Sequence, residues 1–234
     1  MRIGVVQFPG SNDERDAVWA LEQLGAGAEL LWHGDPDLKG VDAIVLPGGF
    51  SYGDYLRCGA IARFSPVMSS VIPFADGGGL VLGICNGFQV LCEAGLLPGA
   101  LVRNEGLSFI CEAVHVRVLS DKSPFTTRAN PDQVLEIPIK HGEGRYVAEP
   151  STLLAMKRNG QIVLKYCSEI GEVNQWTNPN GAVHNIGGIC NERGNVFGMM
   201  PHPEHAVDVG VGIGSDDGAV ILGSLIDALV GAPS

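Results

Sequence analysis

A cysteine near the middle of the chain has the sequence surroundings of a catalytic nucleophile. Cys85 lies between Gly83 and Gly87, directly after the apolar run at residues 80–84 and directly before a helical pattern. A sharp strand-to-helix turn needs such glycines, and it presents its central residue in an exposed, strained position. The unpaired N–H groups at the start of the helix favour a thiolate. The pattern predicts a nucleophile elbow, with a buried cysteine between packing glycines as the alternative.

A base for that thiol is available in the late segment Met200-Pro201-His202-Pro203-Glu204. The two prolines predict an extended segment, in which residues i and i+2 point to the same side. His202 would then act as the base, and Glu204 would orient its imidazole. A surface loop without chemistry is one alternative. Another is a metal site formed with His205, but the helical His-Glu-x-x-His pattern is missing, so we expect no metal.

Backbone donors for an oxyanion are expected at two places. Gly48 and Gly49 follow the apolar run at residues 41–46, and their N–H groups can approach a substrate closely. The N–H of Asn86 comes directly after the nucleophile and can complete the hole. Gln89 lies one helical turn beyond the cysteine, so its amide is predicted to reach either the substrate or its helical neighbours. Taken alone, the two glycines are also consistent with an ordinary strand end.

The segment at residues 141–145 combines opposite charges with flexible glycines. His141, Glu143 and Arg145 are interpreted either as a ligand or partner contact or as an ordinary polar hairpin. The glycine-rich segment at residues 210–214 has the wrong spacing for a dinucleotide fingerprint and is predicted to be a loop. The chain contains no Walker A sequence, so we expect no ATP site.

The first half of the chain alternates between short apolar runs and helical patterns. Buried strands are predicted at residues 2–8, 29–32, 41–46 and 80–84. Ser11 and Glu14 have the spacing of a capping box before the first helix. A second helix is predicted over residues 59–75, limited or kinked by its prolines.

The second half is richer in strands, and a closing helix is predicted at residues 219–230. Strands are predicted at residues 109–119, 134–139, 161–167, 183–189 and 196–200. We therefore expect an α/β fold with a mainly parallel central sheet flanked by helices and with antiparallel strand additions. No linker or internal repeat divides the chain, so residues 1–234 are expected to form a single domain.

Composition narrows the class of protein. The formal net charge is −11 over 234 residues and no basic run occurs, which disfavours nucleic-acid binding. No stretch approaches the roughly 20 apolar residues of a membrane span, and the first residues do not resemble a signal peptide, so a cytoplasmic location without membrane contact is expected. The 6 cysteines include no Cys-x-x-Cys pair, which argues against a zinc site.

Taken together, these motifs resemble the class I (triad) glutamine amidotransferases. Within that family they are most similar to the glutaminase subunits of phosphoribosylformylglycinamidine synthases, which serve purine biosynthesis. The resemblance spans nearly the whole chain and rests on the segments at residues 8–12, 47–54, 83–89, 95–99, 141–145, 178–181 and 194–204. One departure is His205, where the family often carries arginine, and this change could alter a subunit contact.

The resemblance implies that Cys85 attacks the side-chain amide of L-glutamine, with Gly49, Phe50 and Asn86 around the oxyanion. It also implies partners: a large synthetase subunit that holds ATP and Mg²⁺ and uses the ammonia, and a small accessory subunit. No cofactor is implied for this chain itself.

Other interpretations remain open from the sequence. The chain could be the glutaminase of another complex, such as one for pyridoxal phosphate synthesis, or a stand-alone glutamyl hydrolase. A non-catalytic regulatory or chaperone-like protein with a cysteine elbow is the alternative of another class. Proteins of that last kind lack the late Pro-His-Pro-Glu segment.

Overall fold

The computed structural model describes residues 1–120 and 123–231. Its helices are α1 (Glu14–Gln23), α2 (Met68–Asp76), α3 (Asn86–Glu93), α4 (Pro150–Arg158) and α5 (Gly218–Val230). Its strands are β1 (Arg2–Gln7), β2 (Gly27–Trp32), β3 (Ala43–Leu46), β4 (Leu80–Ile84), β5 (Ala100–Val102), β6 (Ile110–Val118), β7 (Val134–His141), β8 (Arg145–Val147), β9 (Ile162–Cys167), β10 (Ile186–Cys190) and β11 (Val196–Met199). No helix in these two ranges is both long and apolar enough to cross a membrane.

One large sheet organises the molecule, in the order β2-β1-β3-β4-β11-β10-β9-β6-β7. The first five strands in this order, β2-β1-β3-β4-β11, run parallel to one another. Strand β10 pairs antiparallel with β11, and the remaining pairs, β10-β9, β9-β6 and β6-β7, are also antiparallel. The predicted α/β class, with a parallel centre and antiparallel additions in the second half, is confirmed. Strands β5 and β8 form a separate antiparallel pair, which the sequence patterns did not predict.

The parallel centre of the sheet is formed by strands that are apolar along their whole length. All residues of β3 and β11 are buried, as are four of the five residues of β4. Such strands have no polar face to alternate with, because both of their faces are covered. Burial therefore determines where these three strands lie and where each of them ends.

Several predicted elements are wrong in detail. The helix predicted at residues 59–75 begins only at Met68, after a short 3-10 turn, because Pro66 cannot continue a helix from the preceding residues. The strand predicted at residues 183–189 begins at Ile186, because residues before it form a 3-10 turn in which His184 has a φ of 54°. Helix α4 was not predicted at all.

The predicted capping box at the start of α1 is also absent from the described residues. The N-cap of this helix is Asp13 rather than Ser11. The Ser11 hydroxyl instead accepts the N–H of Phe8 at 3.0 Å, which tightens the turn after β1. Glu14 accepts a hydrogen bond from Gln7 at 3.0 Å.

The topology brings the chemistry-bearing loops to one edge of the sheet. Strands β1, β3, β4 and β11 are parallel, so their carboxyl ends lie together. The segments that follow these strands carry, in turn, Asp13, Gly48, Cys85 and His202. In an open parallel sheet, this edge is where ligands bind.

Candidate active site

Cys85 occupies a strained turn between β4 and α3. Its φ of 49° and ψ of −102° are unusual for a residue with a side chain, and such strain is typical of functional positions. Gly87 makes the turn possible, because a Cβ there would overlap the carbonyl oxygen of Leu46. The Cys85 thiol is directed to the carbonyl of Lys140, with 3.8 Å between sulfur and oxygen. The geometry is that of a nucleophile elbow.

His202 and Glu204 form a buried pair directly after β11. Nδ1 of His202 lies 2.6 Å from Oε1 of Glu204, and both side chains are about fully buried. A carboxylate only accepts, so Nδ1 carries the proton and Nε2 is left for other chemistry. Nε2 has no hydrogen-bond partner among residues 1–120 and 123–231.

The predicted reason for this pairing is wrong, although the two side chains do meet. The segment is not extended beyond Pro203: residues Pro203–His205 form a 3-10 turn with His202 as its N-cap. That turn bends Glu204 back toward the imidazole. The N–H of His202 donates to the carbonyl of Pro138 at 2.8 Å and fixes the turn against β7.

Charge at the site favours a protonated imidazole. Burial by itself lowers the pKa of His202, but the negative charges of Glu204 and Cys85 outweigh it and raise that pKa above its ordinary value. The neighbouring His141 behaves in the opposite way. Burial and the charge of His202 lower the pKa of His141 to about 4, so this ring is neutral at pH 7.

The predicted oxyanion loop is tied to the elbow. The backbone N–H of Ser51 donates to the side-chain oxygen of Asn86 at 3.1 Å, which holds residues 48–50 beside the Cys85 turn. Phe50 differs from expectation: its N–H donates to the carbonyl of Gly10 at 2.8 Å and is already engaged in this conformation. The backbone N–H of Asn86 lies in the first turn of α3, where N–H groups lack intrahelical partners.

Gln89 links the elbow to the segment at residues 141–145. Its side-chain oxygen accepts from the Asn86 amide at 2.8 Å, and its amide donates to the carbonyl of Glu143 at 2.7 Å. A cavity of about 200 Å³ opens at this junction. Its lining includes Gly49, Phe50, Asp54, Cys58, Cys85, Gln89, Phe109, Lys140, His141 and Glu143.

The interpretation of residues 141–145 as a polar hairpin is wrong, because β7 pairs with β6 and β8 pairs with β5. His141 is the last residue of β7 and is buried, and its Nδ1 forms a hydrogen bond with Oδ1 of Asn104 at 3.0 Å. Glu143 lines the cavity, and its carboxylate lies 3.6 Å from Arg103. Arg145 points elsewhere, donating to the carbonyl of Gly181 at 3.0 Å.

Three residues at this site were not predicted as catalytic or substrate-binding residues: Asp13, Lys140 and His205, the last of which the sequence suggested only as a metal ligand or a subunit contact. Nε2 of His205 lies 3.3 Å from Oδ1 of Asp13, so this side chain faces inward rather than serving only a subunit contact. The position of Asp13 shortly after the first strand is the one sequence signal that could have identified it, since sites collect at strand ends.

The carboxylates and imidazoles at this site also have to be considered as ligands of a metal ion. Potential ligand atoms of Asp13, His202, Glu204 and His205 all lie within 4.8 Å of one another. However, the ammonium group of Lys140 is in direct contact with the Asp13 carboxylate. A divalent cation would meet that positive charge, and the carboxylates are already matched by cationic partners, so ion pairing accounts for the cluster.

A family model, two relatives and one solved structure are similar to this chain over most of its length. Residues 1–211 match the CobB/CobQ-like glutamine amidotransferase domain. The phosphoribosylformylglycinamidine synthase subunit PurQ of Moorella thermoacetica is 54% identical over 228 residues, covering 97% of this chain and 96% of that protein. The PurQ subunit of Mycobacterium bovis is 55% identical over 229 residues, covering 98% of each. A chain in the structure of PurLQS from Thermotoga maritima has a TM-score of 0.86 at 41% identity, covering 97% of this chain and 98% of that one.

Proposed function

Since the chain belongs to the CobB/CobQ-like glutamine amidotransferase family, we propose that it is the glutaminase subunit of a phosphoribosylformylglycinamidine synthase. It hydrolyses L-glutamine to glutamate and ammonia and passes the ammonia to a synthetase subunit. The observation that carries this proposal is the strained Cys85 elbow at the same sheet edge as the buried His202–Glu204 pair. The relatives named PurQ, 54–55% identical over nearly the whole chain, support the choice of pathway.

The reaction begins with the Cys85 thiolate. Its sulfur attacks the side-chain amide carbon of glutamine, and the carbonyl electrons move to an oxyanion that the N–H groups of Gly49 and Asn86 stabilise. The tetrahedral intermediate collapses as the C–N bond breaks. His202 gives its Nε2 proton to the leaving nitrogen, which departs as ammonia and leaves a thioester.

Water then completes the cycle. Neutral His202 takes a proton from a water molecule at Nε2, and the resulting hydroxide attacks the thioester carbon. The C–S bond breaks, glutamate leaves, and the thiolate–imidazolium pair is restored. Glu204 keeps the imidazole in the required tautomer throughout, because its carboxylate holds Nδ1–H at 2.6 Å.

Consumption of the ammonia is assigned to a partner. The chain has no Walker A sequence, so ATP and Mg²⁺ belong to the synthetase subunit, which converts formylglycinamide ribonucleotide to formylglycinamidine ribonucleotide. Phe50 and Phe109 stack at 6.4 Å beside the cavity and are 45% and 54% exposed. An exposed aromatic pair at a cavity suits a docking surface for that subunit.

The proposal also covers the domain organisation, location, cofactors and further partners of the chain. The chain forms one domain, acts in the cytoplasm and uses no cofactor of its own, while a small accessory subunit joins the complex. The PurLQS structure from Thermotoga maritima supports a multi-subunit assembly. The names of the relatives favour this pathway over pyridoxal phosphate synthesis and over a non-catalytic role.

An electrophilic glutamine analogue tests the nucleophile. A diazoketone analogue should label Cys85 stoichiometrically. Cys58 lines the same cavity but should remain unmodified, because burial and nearby carboxylates raise the pKa of its thiol. An adduct on Cys58 would contradict the assignment.

Reconstitution with the synthetase tests the division of labour. Cys85→Ala and His202→Ala should each abolish glutamine-dependent synthesis and retain synthesis from ammonium salt. The exposed Cys111 provides a control, since Cys111→Ala should keep both activities. Loss of both activities from an assembled Cys85→Ala complex would sink the proposal.

A further inference from the structure

Asp13 occupies a helix N-cap without serving as one. Aspartate is among the best N-cap residues because its carboxylate accepts N–H groups of the first helical turn. At the start of α1, however, the Asp13 side chain accepts no capping hydrogen bond from the described chain. The side chain is instead about 3% exposed and faces the catalytic residues. Giving up a local stabilising contact in this way points to another use for the carboxylate.

The contacts of that carboxylate lie on two other segments, the end of β7 and the turn after β11. Oδ1 is in direct contact with the ammonium group of Lys140, from the end of β7, and lies 3.3 Å from Nε2 of His205. Oδ2 lies 3.6 Å from Nδ1 of His202. The imidazole of His202 therefore has two carboxylates beside one nitrogen: Glu204 in a short hydrogen bond and Asp13 slightly farther away.

Lys140 extends this arrangement to the nucleophile. Its backbone carbonyl faces the Cys85 thiol at 3.8 Å, and Lys140 and Cys85 line the same cavity. Burial lowers the pKa of Lys140, but Asp13, Glu204 and Cys85 outweigh it and raise the pKa. For Asp13, burial raises the pKa, and His205, His202 and Lys140 together bring it well below its ordinary value. Both side chains are therefore charged at pH 7.

The signs of these charges follow a pattern. The negative Asp13 lies beside the imidazole of His202, and the positive Lys140 lines the cavity that Cys85 also lines. The titratable and charged groups that face His202 are Asp13 from the loop before α1, Cys85 before α3, Lys140 and His141 from β7, and Glu204 and His205 from its own turn.

We propose that Asp13 and Lys140 form an auxiliary ion pair that stabilises the thiolate–imidazolium state of Cys85 and His202. Both are positioning residues, acting through the two reacting side chains rather than on glutamine. The inference rests on the proposed function, since it concerns the same thiol and imidazole. Its physical basis is that two opposed dipoles side by side in a poorly solvated site stabilise each other.

Removing the two charges separately should move opposite limbs of the pH profile. Asp13→Asn keeps the shape of the side chain but removes the negative charge beside the imidazolium. The midpoint of the alkaline limb of glutamine-dependent kcat/KM should therefore move to lower pH by about one unit or more. Lys140→Met should raise the acid midpoint of Cys85 alkylation by iodoacetamide by a similar amount. The matched controls Asp227→Asn and Lys39→Met remove surface pairs and should leave both limbs in place.

The inference would be overturned if a folded Asp13→Asn or Lys140→Met protein kept the wild-type midpoints of these pH profiles, even if its kcat fell. A purely structural role would lower activity without shifting either midpoint. Circular dichroism checks folding. Should Asp13→Asn not fold, Lys140→Met decides alone. Should Lys140→Met not fold either, because it leaves the buried Asp13 carboxylate unpaired, the double variant Asp13→Asn/Lys140→Met removes both charges and should shift both limbs. The proposed function fails separately: it requires that Cys85→Ala abolish glutamine-dependent synthesis, whatever the limbs do.

Discussion

A single methyl group at Gly48 should displace the imidazole of His202, the proposed base. Gly48 lies directly against the ring: a Cβ built there would be 2.5 Å from Cε1 and 3.2 Å from Nδ1 of His202, and would overlap Oδ2 of Asp13. Its φ is not in the left-handed region, so alanine would suit the backbone. The conflict in Gly48→Ala is therefore steric and local.

The distances set the size of the effect. An ordinary contact begins near 3.4 Å, so the imidazole or the loop must move by about 1 Å, a misplacement that can cost roughly 100-fold in rate. Gly48→Ala should thus lower the kcat for glutamine-dependent synthesis about 100-fold in the reconstituted complex. Synthesis from ammonium salt should be unchanged, because that chemistry takes place on the partner.

A matched alanine substitution isolates the steric cause. A Cβ at Gly106 would meet only the Ser108 hydroxyl, at 3.6 Å, and its φ is likewise outside the left-handed region. Gly106→Ala should keep full glutamine-dependent activity. A Gly48→Ala enzyme with wild-type kcat and normal Cys85 alkylation would show that the contact between this loop and His202 does not position the base.

Two further predictions concern stability. Gly87→Ala should lower the free energy of unfolding by about 3 kcal/mol in urea titrations, because its methyl would overlap the backbone oxygen of Leu46; an unchanged midpoint would contradict the tight elbow. Burial and the charge of His202 lower the pKa of His141 to about 4, so the unfolded state binds the extra proton and the free energy of unfolding should fall by about 1.4 kcal/mol per pH unit as pH drops from about 6.5 to about 4. His141→Asn should flatten that fall, and an equally steep loss in the variant would rule out this histidine as its cause.

The sequence allowed prediction of the features that local stereochemistry controls. The strand β4 matches its predicted bounds at Leu80–Ile84, because an uninterrupted apolar run fits a strand covered on both faces. The elbow at Cys85 followed from its glycines, since no other residue fits the turn. The juxtaposition of His202 with Glu204 was predicted too, although through an extended geometry that the 3-10 turn replaces.

Long-range contacts were beyond the same reasoning. Strand β5 pairs with β8 across some 45 residues of chain, from Leu101 to Tyr146, and neither three-residue strand has a pattern long enough to recognise. The Phe50 N–H was expected at the oxyanion, yet the carbonyl of Gly10 accepts it. Which acceptor an exposed loop N–H finds depends on the neighbouring loop and not on its own sequence.

The sequence by itself determined the family resemblance, the sheet-forming runs and the residues proposed as nucleophile and base, because these depend on residue types at short spacings. Only the tertiary structure decided the electrostatics around them. Asp13 meets Lys140 across 127 residues and His205 across 192, and a buried carboxylate is stable only where such partners surround it. Those partners arrive because parallel strands end at one edge of the sheet, which is a property of topology that no local pattern records.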